Sequence, residues 1–197
     1  ETKKNRQDPK ELHAFHTMLL RLRDLNAIVV AGINGNTAGG GCEFSLGCDL
    51  RIMSNGDFLI GLPETSVGIL PGGGGTQRLS RLIGSSRALD LILHAKLLTP
   101  EEAHNLGIIN KLIPADNFKH ELTSYCEDLA SRAPIALQQV KKIIHQGIEM
   151  PLEESLMIEQ KAFDVTMNSR DAARAMRALL NTQENIEDVS DFKWEGE

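Results

Sequence analysis

No apolar stretch in this chain is long enough to cross a bilayer. The nearest candidate, residues 27–33, is seven residues where a spanning helix needs about 20. No block of Lys or Arg stands alone either. With 27 acidic against 21 basic residues and a formal net charge of -6, an electrostatic nucleic-acid binder is disfavoured. Cysteine is scarce. Cys42, Cys48 and Cys126 are an odd set without C-x-x-C spacing, and the first two lie in an apolar, helix-like stretch, which points to a reducing compartment. The polar start, Glu1-Thr-Lys-Lys-Asn-Arg-Gln-Asp, has no signal-peptide character. The expectation is a soluble intracellular protein, cytoplasmic or, in a eukaryote, in the mitochondrial matrix, with no membrane and no nucleic-acid partner.

Several chemical signatures are missing as well. The tetraglycine stretch at 72–75 is followed by Thr76-Gln77-Arg78 where a phosphate loop demands Lys and Ser or Thr, and no G-x-G-x-x-G occurs. Glu43 stands where a nucleophile elbow around Ser45 would need its first glycine, so serine hydrolase chemistry is unsupported. His13 and His16 share a helix face but lack a third ligand at fitting spacing, and His94, His104, His120 and His145 are isolated. No metal site is expected, and the histidines read as solvated or boundary residues.

What is present is enough apolar residue, 41% of 197, for one globular domain with room for a helical appendage. Leu12, Phe15, Leu19 and Leu22 recur at helical steps, predicting a helix over 9–25. Residues 27–33 read as a short buried strand, 35–41 as a small-residue turn and 42–47 as a helix. Residues 50–53 and 58–60 read as strands joined through Ser54-Asn55-Gly56-Asp57 in a hairpin or bulged crossing. Helical patterns follow the tetraglycine loop and Gly84, Thr99-Pro100-Glu101-Glu102 is a helix start, and 108–113 is a further strand. From Pro114 to Leu180 the pattern is helical, interrupted at Pro134, 147–151 and Asn168, and the tail from Asn181 reads as polar and loose.

The candidate chemistry sits beside the glycines. Gly39-Gly40-Gly41 before a helix permits close backbone approach and points unpaired N–H groups at a ligand, which suits a developing oxyanion. The same triplet also serves as a plain tight turn. Glu43, three residues after Gly40 in an apolar run, suits a general acid or base. The alternative is a solvated first-turn residue favourable to the helix dipole. Glu64, after Pro63 and before the tetraglycine loop, lies at a pocket rim or is an ordinary loop glutamate. Cys42 reads as a core thiol, since nothing basic close in sequence lowers its pKa.

The string Ile33-Asn-Gly-Asn-Thr-Ala-Gly-Gly-Gly-Cys-Glu-Phe-Ser-Leu-Gly-Cys-Asp49 resembles the signature of the crotonase, or enoyl-CoA hydratase/isomerase, superfamily. So does Pro63-Glu-Thr-Ser-Val-Gly-Ile-Leu-Pro-Gly-Gly-Gly-Gly-Thr-Gln-Arg-Leu79, its second block. The two blocks occur in the right order, and the resemblance extends more loosely through residues 103–140.

The resemblance implies an α/β fold, a crotonase-like spiral of β-β-α units over residues 1–133, with a helical trimerisation region over 134–197. It implies homotrimers that pair into hexamers. It implies a coenzyme A thioester as substrate, with no further cofactor and no metal. Gly40 would donate one oxyanion N–H, Glu43 would activate water and Glu64 would exchange the α proton, while Ala38, Gly39, Pro63, Leu70 and Gly72 would line the substrate site. Glutamate at both positions points to hydration of a 2-enoyl-CoA to a 3-hydroxyacyl-CoA. Isomerase, hydrolase and decarboxylase activities of the same superfamily, or a non-catalytic acyl-CoA or RNA binder, are the alternatives. Against the family pattern, the N-terminal strands and the segment giving the second oxyanion donor are absent from these residues, so a longer encoded chain is expected. The stretch between Asp49 and Glu64 is about one residue longer than usual, and 174–181 lacks the aromatic and basic residues with which many members reach a neighbour's coenzyme A.

Overall fold

The computed structural model describes residues 12–182 and 192–197. Its contacts divide the chain into a unit formed by residues up to Leu25 with Val29–Leu122, and a second formed by Asn26–Ile28 with Thr123–Glu197.

In the first unit, α1 (Ala14–Asp24) starts at His13, whose ring accepts the Phe15 N–H at 3.3 Å as an N-cap. This histidine, read from sequence as merely solvated, has a local structural role. The helix expected over 9–25 is present from 14 to 24, and residues 9–11 lie outside the described ones. Strand β1 (Val30–Ile33) is shorter than the expected 27–33: its partner strand begins at Leu50 opposite Val30, and Val29 before it is tied to Asp49, donating its N–H to the carboxylate at 2.7 Å and accepting the Asp49 N–H at 2.9 Å. Then follow β2 (Thr37–Ala38), α2 (Gly40–Leu46), β3 (Leu50–Asn55), β4 (Ile60–Gly61), a 3-10 turn at Glu64–Val67, α3 (Gly75–Ile83) and α4 (Ser85–Leu93). The unit continues through β5 (Leu97–Leu98), α5 (Pro100–Asn105), β6 (Lys111–Pro114) and the start of α6 (Phe118–Ala130). Helix α5 opens with a capping box in which Thr99 and Glu102 satisfy each other's backbone amides.

The strands form two sheets. In the first, ordered β1-β3-β6, both pairings are parallel, with Val30 opposite Leu50 and Ile52 opposite Lys111. In the second, ordered β2-β4-β5, Thr37 faces Ile60 in parallel and Ile60 faces Leu98 antiparallel. Of the hairpin or bulged crossing expected across Ser54–Asp57, the hairpin is therefore not formed. Both edges of β3 are occupied by parallel neighbours, and the turn carries the chain from one sheet into the other. The short strands β2 and β5, two residues each, were invisible to periodicity.

The core between these sheets and helices gathers Ile33, Cys42, Leu46, Met53, Ile60 and Leu79. Arg51 is also inside. It is 5% exposed, yet its guanidinium donates to the carbonyls of Ile108 (2.8 Å), Cys48 (2.9 Å) and Ser45 (3.4 Å). The last two carbonyls lie at the C-terminal end of α2 and just beyond it, where a cation is favourable.

The second unit carries α7 (Pro134–Gly147), α8 (Leu152–Met167) and α9 (Arg170–Thr182), with breaks where Pro134, 147–151 and Asn168 predict them. Residues 183–191 of the expected loose tail lie outside the described ones, but 192–197 contradict that expectation. Asp171, buried at the start of α9, accepts the N–H groups of Glu195 (3.0 Å) and Gly196 (2.7 Å), and Arg174 pairs with Glu195 at 2.7 Å and covers the Phe192 ring. A buried carboxylate matched to successive amides is what holds the polar segment. Among the described residues no helix is long and apolar enough to cross a membrane.

Candidate active site

Two glycine turns and two carboxylates meet at the start of α2. Gly39, at φ 58, reverses the chain between β2 and α2 and donates its N–H to the Gly61 carbonyl at 3.0 Å, fixing the turn on β4. Gly40 opens α2, so its amide has no intrahelical acceptor and lies on an exposed turn.

Glu43, in the first turn of α2, is 4% exposed. Its Oε1 accepts two backbone amides of the tetraglycine loop, Gly73 at 2.7 Å and Gly75 at 2.8 Å, while among the described residues Oε2 accepts none. The solvated first-turn reading is thus excluded: the carboxylate is inside, anchored by one oxygen. The loop must be glycine for this approach. A Cβ on Gly73 would lie 2.5 Å from Glu43 Oε2 and 2.6 Å from the Phe15 ring, and one on Gly75 would lie 3.0 Å from Glu43 Oε1 and 2.8 Å from Leu62.

Glu64 begins the 3-10 turn directly after Pro63, and its Oε1 reaches within 3.4 Å of where a Cβ on Gly39 would stand. Its Oε2 is buried and accepts no hydrogen bond among the described residues, a costly state for a carboxylate oxygen unless it has a task. The two carboxylates act on the same neighbour. Burial pushes the Cys42 thiol up from 9.0 to about 12, and the negative charges of Glu64 and Glu43 push it in the same direction. Cys42, 2% exposed, is the core thiol its sequence context suggested.

Of the other residues read from the sequence, Ala38 ends β2 opposite Gly61, and Pro63 closes the 3-10 turn by accepting from Ser66. Leu70 is 67% exposed, following the exposed Val67 and Ile69. Gly72 is exposed at the entrance of the loop that holds Glu43. The carboxylates, the Gly39–Gly41 turn and the loop are brought together by β2 and β4 pairing side by side. Sequence reasoning missed Gly73 and Gly75 as the amide donors, and Phe15 and His16 as neighbours of the loop. His16 is half-buried beside this loop, and a Cβ on Gly74 would lie 3.5 Å from its Nδ1. The available signal was the loop itself: four successive glycines entering a helix mark a place where something approaches the backbone closely. Among the described residues no three His, Cys, Asp or Glu side chains cluster as metal ligands.

Residues 1–188 match the family model for enoyl-CoA hydratase/isomerase. The chain is 36% identical over 160 residues to a short-chain-enoyl-CoA hydratase of Clostridium acetobutylicum, covering 81% of this chain and 61% of that protein. It is 33% identical over 175 residues to a crotonyl-CoA hydratase of Syntrophomonas wolfei, covering 88% of this chain and 66% of the relative. A crystal structure of an enoyl-CoA hydratase from Geobacillus kaustophilus superposes with a TM-score of 0.86 at 36% identity, covering 93% of this chain and 67% of that one. The crotonase-like fold expected from the two motifs is the fold observed. The chain spans about three-fifths to two-thirds of the length of these relatives.

Proposed function

The chain belongs to the enoyl-CoA hydratase/isomerase family, and from that premise we propose that it serves the hydration of a 2-enoyl-CoA thioester to a 3-hydroxyacyl-CoA. The observation that carries this reading is the pair of carboxylates at one turn: among the described residues, Glu43 is anchored through Oε1 alone and Glu64 has a buried oxygen that accepts no hydrogen bond.

In this reading Glu43 Oε2 takes a proton from water as the water oxygen bonds to the β carbon. The electron pair of the double bond moves toward the thioester carbonyl, and the developing oxyanion accepts the Gly40 N–H. Glu64 gives a proton to the α carbon, and the two carboxylates exchange the difference with solvent. Oε1 of Glu43 is held by two amides throughout, so the carboxylate enters the reaction already oriented. Ala38, Gly39, Pro63, Leu70 and Gly72 border the path of the thioester. The step needs no metal and no cofactor beyond the coenzyme A carried by the substrate. The helical region from 134 onward is proposed to build trimers, paired or not into hexamers. Its exposed Leu152, Leu156, Met157 and Phe163 favour such burial. A cytoplasmic or matrix location fits this chemistry.

Hydration of crotonyl-CoA, followed by loss of the enone absorbance in the full encoded protein, tests the reading. Turnover lowered by about 100-fold or more in Glu64→Gln and in Glu43→Gln supports it. Coenzyme A binding without any turnover in the unaltered protein refutes it and favours an isomerase, hydrolase or non-catalytic role.

A further inference from the structure

Arg78 has no part in the chemistry above, yet it grips the loop that holds Glu43. It lies one turn into α3, and its Nη1 donates to the Gly73 carbonyl at 3.1 Å. The amide of the same Gly73 donates to Glu43 Oε1 at 2.7 Å. Gly73 is therefore held from both sides, by a carboxylate through its N–H and by a guanidinium through its C=O. Gly74, at φ 102, leaves open the space that Arg78 occupies, since a Cβ there would collide with the guanidinium. The half-buried guanidinium also lies in the field of Glu43: burial lowers its pKa, and the Glu43 charge opposes that shift.

A run of four glycines has more backbone freedom to lose on ordering than any other sequence of that length. Two amides converging on one carboxylate oxygen therefore need something to fix the intervening peptides. The amide of Arg78 bonds the Gly74 carbonyl at 2.9 Å as α3 begins, and the side chain of the same residue fixes the Gly73 carbonyl one peptide earlier. One residue thus sets two successive carbonyls of the loop.

We infer that Arg78 is a positioning residue for Glu43: by fixing the Gly73–Gly74 peptide it keeps the Gly73 and Gly75 amides on Oε1, so that Oε2 stays aimed at the reacting atoms. The inference rests on the hydratase reading for its kinetic test and is independent of it for its structural one.

The experiment compares the full encoded protein with Arg78→Met and Arg78→Lys. In Arg78→Met, kcat for crotonyl-CoA falls about 10- to 100-fold with KM within about 2-fold, because orientation and not substrate affinity is lost. Arg78→Lys, which keeps the charge but loses the planar fork, recovers part of the rate. In the same samples, hydrogen exchange at the Gly73 and Gly75 amides accelerates about 10-fold or more in Arg78→Met, while the Ile52 amide of β3 is unchanged. Unaltered exchange at Gly73 and Gly75 overturns the inference. So does a loss of kcat that tracks a general loss of stability. A parent protein that hydrates no crotonyl-CoA refutes the proposed function only, and the exchange comparison still decides the role of Arg78.

Discussion

Arg51 Nε donates to the carbonyl of Ile108 at 2.8 Å, joining β3 to the segment that leads into β6. The backbone N–H of Arg51 reaches Asn110 Oδ1 at 2.8 Å, and the guanidinium closes the end of α2 through Ser45 and Cys48. Burial lowers its pKa, but the surrounding carbonyls keep the cation satisfied.

Replacing Arg51 by Met fills much of the volume but removes the guanidinium donors to the Ile108 and Cys48 carbonyls. An unpaired buried polar group costs about 1–3 kcal/mol. Urea unfolding should show Arg51→Met less stable by about 2–4 kcal/mol, and an unchanged midpoint would contradict the role assigned to the guanidinium.

Cys42 makes stability depend on alkaline pH. Its thiol holds its proton up to about pH 12 in the folded protein, against 9.0 ordinarily. Below pH 9 both states are protonated and the full stability is present. As pH rises from there toward 12 only the unfolded chain ionises, so stability is lost at up to about 1.4 kcal/mol per pH unit. Denaturation of the unaltered protein and of Cys42→Ala across pH 8 to 11 should show the steeper decline in the former. The same thiol should resist alkylation at pH 8 while the partly exposed Cys126 reacts.

Gly61 and Gly35 should respond oppositely to alanine. A Cβ on Gly61 would stand 2.5 Å from the Lys96 carbonyl, a backbone atom that can yield only by parting β4 from β5, whereas one on Gly35 meets nothing within 4 Å among the described residues. Thermal unfolding should place Gly61→Ala about 1–3 kcal/mol below the parent, and Gly35→Ala equal to it or about 0.5 kcal/mol above.

The segment at 192–197 can be watched through Trp194, the one tryptophan of the sequence, whose ring lies 4.6 Å from Phe192. The amide of Glu195 holds the Asp171 carboxyl below its usual range, with Gly196 and Arg174 acting in the same direction. A depressed carboxylate stabilises the docked form above its ordinary pKa of 3.8 and loses that contribution as pH falls through the lower folded value. Trp194 emission should therefore stay constant from pH 7 to about pH 4 and shift to the red below it, and Asp171→Ala should emit at the red-shifted position throughout.

The sequence made the long helices, the capping box at Thr99 and the two glutamates legible because each is signalled locally, by a period, a cap or a motif. The partners of those glutamates were not. That Glu43 is satisfied by Gly73 and Gly75 depends on residues thirty positions apart meeting, and a glycine carries no side-chain signal of what it donates to. The turn at Ser54–Asp57 left a hairpin and a crossing both open for a related reason: turn chemistry is local, but whether two strands pair depends on which edges are already taken, and β1 and β6 take both edges of β3. Nothing local in the sequence marks Arg51 as buried, since a basic residue near a strand start ordinarily faces water. Only the carbonyls that end α2 and precede β6 explain its burial.

The parallel pairing of β3 with β6 also has a consequence on the ribosome. Arg51 and Asn110, bonded at 2.8 Å, lie 59 residues apart, and two parallel neighbours require the chain to travel out and back between them. While the chain is being synthesised, β3 can pair with β1 as soon as residue 55 emerges, but its other edge stays bare until β6 has left the exit tunnel. For that interval Ile52 and Met53, fully buried in the finished protein, belong to an open strand edge on a nascent chain. Slow, non-local closure of this kind makes the segment before β6 a natural client for chaperones, and the yield of folded protein should depend on translation speed between residues 55 and 114.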